Sequence, residues 1–123
     1  MLQVYSINVD VDAGSSIPLN NVKVQKGCTV TTAGASSIAL NKCGIYAVTV
    51  DTSSAAAATI QMYVNDTLDR AAQSTGTNAG FTTLVAVAET NTKCPCTSPT
   101  IIQFVSEDAA TFTNVNVVVT KLV

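Results

Sequence analysis

Four cysteines, at positions 28, 43, 94 and 96, are the side chains of this sequence most able to do chemistry. Their thiols can form disulfides, bind a soft metal ion in a Cys-only tetrahedral site, or remain free and partly buried. The spacing of Cys94 and Cys96 differs from the C-x-x-C of common zinc ribbons and thioredoxins, which favours disulfides over metal or redox sites. A bond between these two residues is disfavoured because it closes a very small ring around Pro95. The candidate disulfide residues are Cys28, Cys43, Cys94 and Cys96, with metal ligation and free thiols as open alternatives.

A predicted β-hairpin brings two of these cysteines together. Its strands are Thr29–Thr32 and Ser37–Leu40, and the turn Ala33–Ser36 joins them. Antiparallel pairing of these strands places Thr29 opposite Leu40. Cys28 and Cys43 then both lie at the open end of the hairpin. Thiols at that end lie within the reach that a disulfide or a shared metal ion requires.

The elements that must position these thiols are β-strands, because apolar residues recur with a period of two along nearly all of the chain. In Leu2–Asp12 the alternation slips by one residue at Tyr5-Ser6, which indicates a bulge or an apolar residue on the outer face. About nine strands at roughly ten-residue spacing predict an all-β sandwich or barrel, with residues 1–123 as a single domain. Further predicted strands are Val22–Gln25, Ile45–Val50, Ile60–Val64, Phe81–Ala88, Ile101–Val105 and Phe112–Thr120.

The composition excludes several classes of function. Only 11% of the 123 residues are charged, the net charge is −2, and histidine is absent. Nucleic-acid binding needs a basic surface, and Ser-His-Asp hydrolases and His-containing zinc enzymes need histidine. No nucleotide-binding motif is present. We therefore expect no enzymatic activity, no catalytic residue, no cofactor and no nucleic-acid partner.

The chain also lacks the patterns of a membrane or exported protein. No apolar run approaches the roughly 18 residues of a membrane helix, so we expect no membrane partner. The first residues, MLQVYSINVDVD, alternate and show neither the basic nor the apolar region of a signal peptide, which indicates synthesis in the cytoplasm. With 18 Thr and 10 Ser, the surface is expected to be rich in small hydroxyl groups.

The segment S-I-A-L-N-K-C-G-I-Y-A-V-T-V at Ser37–Val50 combines a short strand, a polar turn and a second strand. It resembles the second and third main strands of the jelly roll of tumour necrosis factors and complement globular heads. Gly14–Asn20 resembles that family's entry to its first hairpin insert, and Thr113–Leu122 resembles its closing strand. The resemblance extends from about Tyr5 to Val123 and implies a jelly-roll β-sandwich that assembles as a homotrimer.

A narrower resemblance is to small proteins of tailed bacteriophages of Gram-positive hosts, in which such a domain forms a trimeric capsid decoration or head-fibre knob. It rests on residues that include Ile17–Val22, Leu40–Gly44, Cys94–Thr100 and Ala110–Lys121. The resemblance implies a structural protein of the virion, made in the host cytoplasm. Its implied partners are copies of itself, the major capsid protein or virion surface, and host or mucus glycans. The alternative is a carbohydrate- or receptor-binding head of a tail fibre or spore-surface filament.

The jelly-roll resemblance also suggests roles for individual residues. It places Cys94 and Cys96 in a loop at the open end of the predicted hairpin, so that all four cysteines converge on one corner. Tyr46 resembles a strand position near the family's three-fold axis, with a place in the core or an ordinary surface position as the open alternatives. The run Val115–Val119 is apolar on both faces of its strand, and the second face needs cover that another subunit can supply. The candidate trimer-interface residues are Tyr46, Val48, Phe112, Val115, Val117 and Val119.

Overall fold

The computed structural model describes residues 1–87 and 99–123 and places most of them in antiparallel β-strands. Within these two ranges, no helix is long and apolar enough to cross a membrane. The strands are β1 (Leu2–Val11), β2 (Ser15–Ser16), β3 (Asn21–Gln25), β4 (Val30–Thr32), β5 (Ser37–Leu40), β6 (Gly44–Ser54), β7 (Ala58–Val64), β8 (Thr67–Gly76), β9 (Gly80–Val87), β10 (Thr100–Ser106) and β11 (Ala110–Lys121).

Two sheets enclose one hydrophobic core, which confirms the predicted all-β sandwich. One sheet has the strand order β3-β1-β11-β6-β9, and the other has the order β4-β5-β10-β7-β8 with β2 paired to β10. Each fully buried Val, Leu, Ile, Met or Phe between the sheets contributes about 1.5–3 kcal/mol to stability. The largest fully buried side chains include Tyr46, Phe104, Phe112, Leu2, Ile17, Ile38, Leu40, Ile60, Met62 and Ile102.

The alternation of β1 changes face, as the sequence indicates. Ser6 is buried, Ile7 is 55% exposed, and Val9 and Val11 are buried again, so the slip is an irregularity of the strand that lies two residues beyond the predicted position. The change occurs at Asn8, whose φ of 52° lies in the left-handed region. Ser6 accepts a hydrogen bond from the Asn20 amide (2.9 Å) and donates one to the Pro18 carbonyl (2.7 Å). This buried hydroxyl therefore ties the segment before β3 to β1.

Two strands, β2 and β8, were missing from the sequence-based prediction. Of the ten residues of β8, only Ala72 is buried, so the strand has no alternating apolar pattern. It forms because Asn65 and Asp66 adopt positive φ values of 47° and 65°. These values are typical of the two-residue turns that connect antiparallel strands, and they fold β8 back along β7.

The hairpin of β4 and β5 has a register one residue away from the predicted one. Val30, rather than Thr29, lies opposite Leu40, because both of these buried side chains must face the core. The backbone pairing continues past the strands, where the Asn41 amide donates to the Thr29 carbonyl at 2.8 Å. The side chain of Asn41 also donates to the Cys28 carbonyl at 2.8 Å. Asn41 thus closes the open end of the hairpin.

Strand β6 begins at Gly44, the glycine of the Gly-Ile-Tyr motif. Gly44 has a φ of 145°, and a Cβ at this position would meet the backbone oxygen of Val123 and lie 2.7 Å from Cε of Lys121. The backbone of Ile45 donates to Val123 (3.3 Å) and accepts from Leu122 (2.7 Å). A glycine is needed here because the segment after β11 passes directly against the start of β6.

The ring of Tyr46 is fully buried in the core, and its hydroxyl fixes the turn before β6. The hydroxyl donates to the Lys42 carbonyl at 2.5 Å and accepts from the Lys42 amide at 3.3 Å. Burial raises the pKa of Tyr46 above its ordinary value, and the hydrogen bond to Lys42 opposes part of that rise.

We predict that Gly44→Ala destabilises the fold by roughly 1–3 kcal/mol, because a strained backbone and a displaced Val123 oxygen add together. Gly14→Ala is the matched control, since Gly14 also has a positive φ (77°) but no atom within 4 Å of its added Cβ. Urea unfolding measures both free energies. Equal losses in the two variants would show that the contact with Val123 contributes nothing.

We predict that stability falls as the pH rises above about 10, because the unfolded chain releases the Tyr46 proton there while the folded chain retains it. In Tyr46→Phe this proton is absent, so the thermal midpoint should fall less steeply with pH than in the wild type. The midpoint at neutral pH should itself be lower, because the hydrogen bonds to Lys42 are lost. Tyr5→Phe, which removes a half-buried surface phenol, is the control. Parallel declines in wild type and Tyr46→Phe would contradict the prediction.

Candidate interaction face

The five-stranded sheet turns one side to the core and the other side away from it, and we call the second side the outward face. Strand register sets which residues share its rows. Thr49 lies opposite Thr82, and their hydroxyl oxygens are 3.2 Å apart. In the next row Thr120, Ala47 and Leu84 lie side by side on β11, β6 and β9. The outward face is therefore a continuous surface across neighbouring strands.

One corner of the outward face is apolar. Leu84 is 60% exposed, Leu122 is 56% exposed and Ile45 is 39% exposed. Ile45 lies opposite Ala86, and Leu84 lies opposite Ala47. We call these five residues the apolar corner. Large aliphatic side chains grouped on one sheet face are typical of a surface that another protein covers.

Beside the apolar corner, the same face has a polar cleft of ≈ 590 Å³. The Gln3 side-chain amide donates to Oδ1 of Asn116 at 3.0 Å on one wall. Lys23 on β3 and Asp51 on β6 bring opposite charges to the cleft. The lining residues are Gln3, Tyr5, Ile7, Lys23, Asp51, Asn114 and Asn116. The outward face thus combines an apolar area with groups that can form hydrogen bonds and ion pairs.

The six predicted interface residues lie in the core rather than on this face. Each has 0% exposure within the single chain. A side chain that its own chain already encloses cannot contact a second subunit, so contacts between subunits on this sheet have to use the outward rows. Val118, half-buried on β11, belongs to these rows. The residues placed in the core are Tyr46, Val48, Phe112, Val115, Val117 and Val119.

The sequence-based reasoning missed Ile45, Leu84 and Leu122 as surface residues. The alternation of β6 contained the signal for the first of them. Tyr46, Val48 and Val50 form the bulky inward set, and the odd-numbered positions between and beside them then have to face outward. Leu84 follows from the same rule once β9 is paired with β6.

The cysteines occupy different states. Cys43 is disulfide-bonded, whereas Cys28 is a free and exposed thiol, so the prediction that Cys28 takes part in a disulfide does not hold. Cys28 lies in the turn region before β4, where Asn41 contacts its carbonyl rather than its sulfur. Cys94 and Cys96, and with them the predicted convergence of all four cysteines, lie outside the described residues. Within residues 1–87 and 99–123, no three Cys, Asp or Glu side chains are grouped to hold a metal ion.

No protein-family model matches the sequence, and no curated protein matches it. Solved structures do resemble the fold. The globular domain of zebrafish complement 1qA has a TM-score of 0.68 at 5% identity, over 95% of this chain and 94% of that chain. Murine APRIL has a TM-score of 0.64 at 10% identity, over 98% of both chains. Rabbit GITRL has a TM-score of 0.61 at 10% identity, over 100% of this chain and 95% of that chain.

These likenesses cover nearly the whole of each chain, while the sequences have diverged almost completely. At such identities a likeness establishes the fold and nothing further. The chain therefore has the jelly-roll β-sandwich of the tumour necrosis factor and complement globular-head type, as its sequence resemblance implied.

Proposed function

We propose that this chain is a non-enzymatic structural head that assembles as a homotrimer and is displayed on a bacteriophage virion, as a capsid decoration or head-fibre knob. The observation that carries the proposal is the apolar corner, which the single chain leaves exposed to water. Covering aliphatic surface gains roughly 25 cal/mol for each square ångström removed from water, so association through this face stabilises the assembly.

The charges on the outward face support association with copies of the same chain. Lys23 and Asp51 both line the polar cleft, so a single surface carries both signs. A face that carries both positive and negative charges can pair with the same face of a copy related by rotation. A foreign partner whose charges are all of one sign would meet repulsion as well as attraction. Three copies are the number implied by the sequence resemblance to trimeric heads.

The virion location is supported by the sequence rather than by the fold. The residue-level resemblance to phage decoration and head-fibre proteins covers segments throughout the chain. Only 11% of the residues are charged, and Ser and Thr make up 28 of 123. A weakly charged, hydroxyl-rich exterior suits a particle surface, because it offers few electrostatic contacts to unrelated molecules. In this proposal the protein is made in the host cytoplasm and docks on the major capsid protein.

We predict that sedimentation equilibrium at micromolar concentration gives a mass close to three chains of 12.7 kDa each. Leu84→Glu should yield a folded monomer, because the substitution changes an exposed side chain but brings several carboxylates together in the interface. Ala71→Glu, on the exposed edge strand β8 of the other sheet, is the control and should remain trimeric. A monomeric wild-type chain would contradict the self-association proposal.

We predict that immunogold labelling with antibodies to this chain marks the capsids of the phage that encodes it, in many copies on each particle. A decoration or head-fibre protein is repeated over the capsid surface, so label should be distributed over the head. Label confined to tail tips would support the receptor-binding alternative. Purified virions that lack the protein in mass spectrometry would refute both locations.

A further inference from the structure

A second cleft, of ≈ 430 Å³, lies on the side of the six-stranded sheet that faces away from the core. Strands β7 and β10 form its floor, where Tyr63 lies opposite Gln103 and Gln61 lies opposite Val105. Ser16 of β2 pairs with Val105 at its margin. We call it the β7–β10 cleft. Its volume falls within the roughly 300–1,000 Å³ of small-molecule sites.

The floor of the cleft contains a polar side chain, Gln61, that is almost completely buried. Gln61 is only 6% exposed, although it points to the outer side of its sheet. Its amide nitrogen donates to Oε1 of Gln73 at 3.5 Å, and its Oε1 has no donor among the described residues. In the described part of the chain, every side-chain oxygen or nitrogen that is fully buried from solvent has a hydrogen-bond partner. The Gln61 oxygen is therefore within reach of solvent, and because Gln61 lines the cleft, this oxygen can accept a hydrogen bond there.

A second amide is oriented beside it. The Ser16 hydroxyl donates to Oε1 of Gln103 at 3.1 Å, which fixes the side chain and directs the amide nitrogen away from this bond. Gln103 then offers two N–H donors, whereas Gln61 offers an acceptor. Complementary amide groups on adjacent strands are suited to a ligand whose neighbouring groups both donate and accept, as vicinal hydroxyls do.

The remaining walls supply an apolar surface and further acceptors. Tyr63 is partly exposed, and its register partner Leu68 also lines the cleft. An aromatic ring beside an aliphatic side chain gives a surface for the C–H face of a sugar ring. Asp66 and Glu107 line the same cleft and can accept hydrogen bonds from hydroxyls. Both are carboxylates, so they repel an anionic ligand and favour a neutral one.

We propose that the β7–β10 cleft binds a neutral saccharide unit. The ring of Tyr63 packs against the sugar, while the amides of Gln61 and Gln103 bind adjacent hydroxyls. This binding activity goes beyond the proposed display function. The cleft floor lies on the other sheet from the apolar corner, and the two surfaces approach each other only where Leu68 lies near Leu84 and Ala86.

Saturation-transfer difference NMR tests the proposal with methyl glycosides of glucose, galactose, mannose and N-acetylglucosamine, and with methyl glucuronide as an anionic comparison. We expect saturation transfer to at least one neutral glycoside and weaker transfer to the glucuronide. No transfer to any neutral glycoside, from protein that is folded by its amide NMR spectrum, would overturn the proposal. A response of the cleft residues to calcium alone would overturn it as well, because it would assign the carboxylates to a cation.

Variants locate the binding. Gln103→Leu should weaken the affinity for the responding glycoside roughly tenfold, a loss of about 1.4 kcal/mol, and Tyr63→Ala should abolish the signal while Tyr63→Phe retains it. Gln25→Leu, at an exposed position of β3 in the other sheet, is the matched control and should bind as wild type. Unchanged binding in Gln103→Leu and Tyr63→Ala would place the sugar elsewhere and overturn the assignment. Sedimentation of the same variants should remain that of wild type, which separates this result from the self-association test.

Discussion

The position of β11 between β1 and β6 constrains nearly everything else in this protein. Its register sets Val117 opposite Val4 on one side and opposite Val50 on the other. Because side chains alternate along a strand, this register sends Val117 and Val119 into the core and leaves Val118 on the outward face. A slip by one residue would reverse every one of these assignments, so the dry core and the outward face are fixed together.

Buried hydroxyl groups explain how a chain with few charges closes its connections. The Thr52 hydroxyl donates to the Ala79 carbonyl at 2.6 Å, and the Ser106 hydroxyl donates to the Asp108 carbonyl at 2.6 Å. Ser54 likewise donates to the Ala56 carbonyl at 2.7 Å. In each case a strand residue satisfies the backbone of a connection that follows or adjoins it. Part of the abundant Ser and Thr is therefore structural, because a buried hydroxyl needs a partner and these connections supply one.

The sequence was sufficient for the fold because each sheet buries one side, and this burial leaves a period-two pattern in β1, β6, β10 and β11. It was insufficient for β8, whose position depends on the Asn65-Asp66 turn and on pairing with β7 rather than on apolar residues. It was also insufficient for the interface. Large apolar residues such as Tyr46 and Phe112 are the natural interface candidates in a sequence, but both are fully buried in the core of the single chain. The surface available to a partner then consists of the residues that remain, including Leu84 and Leu122.

The candidate saccharide site shows the same limit more strongly. Gln61, Tyr63 and Gln103 belong to strands that the sequence predicts well, but none of the three stands out by type or spacing. Their combination arises only when antiparallel register brings β7 beside β10 and when Ser16 of β2 adds its hydroxyl. A two-residue strand such as β2 leaves no periodic signal, although it orients one of the two amides.

The placement of the two surfaces on opposite sheets has a consequence for how they work together. If the outward face of the five-stranded sheet is buried between subunits, the β7–β10 cleft of every subunit remains on the exterior of the assembly. A cleft with one aromatic ring and two amides binds a single sugar weakly, because each hydrogen bond to the sugar replaces one to water. In the proposed trimer, repeated over a particle, three such clefts would raise the avidity for a glycan-coated surface by roughly 10²–10⁴ without any new contact. Self-association would then supply the gain in binding that an individual cleft lacks.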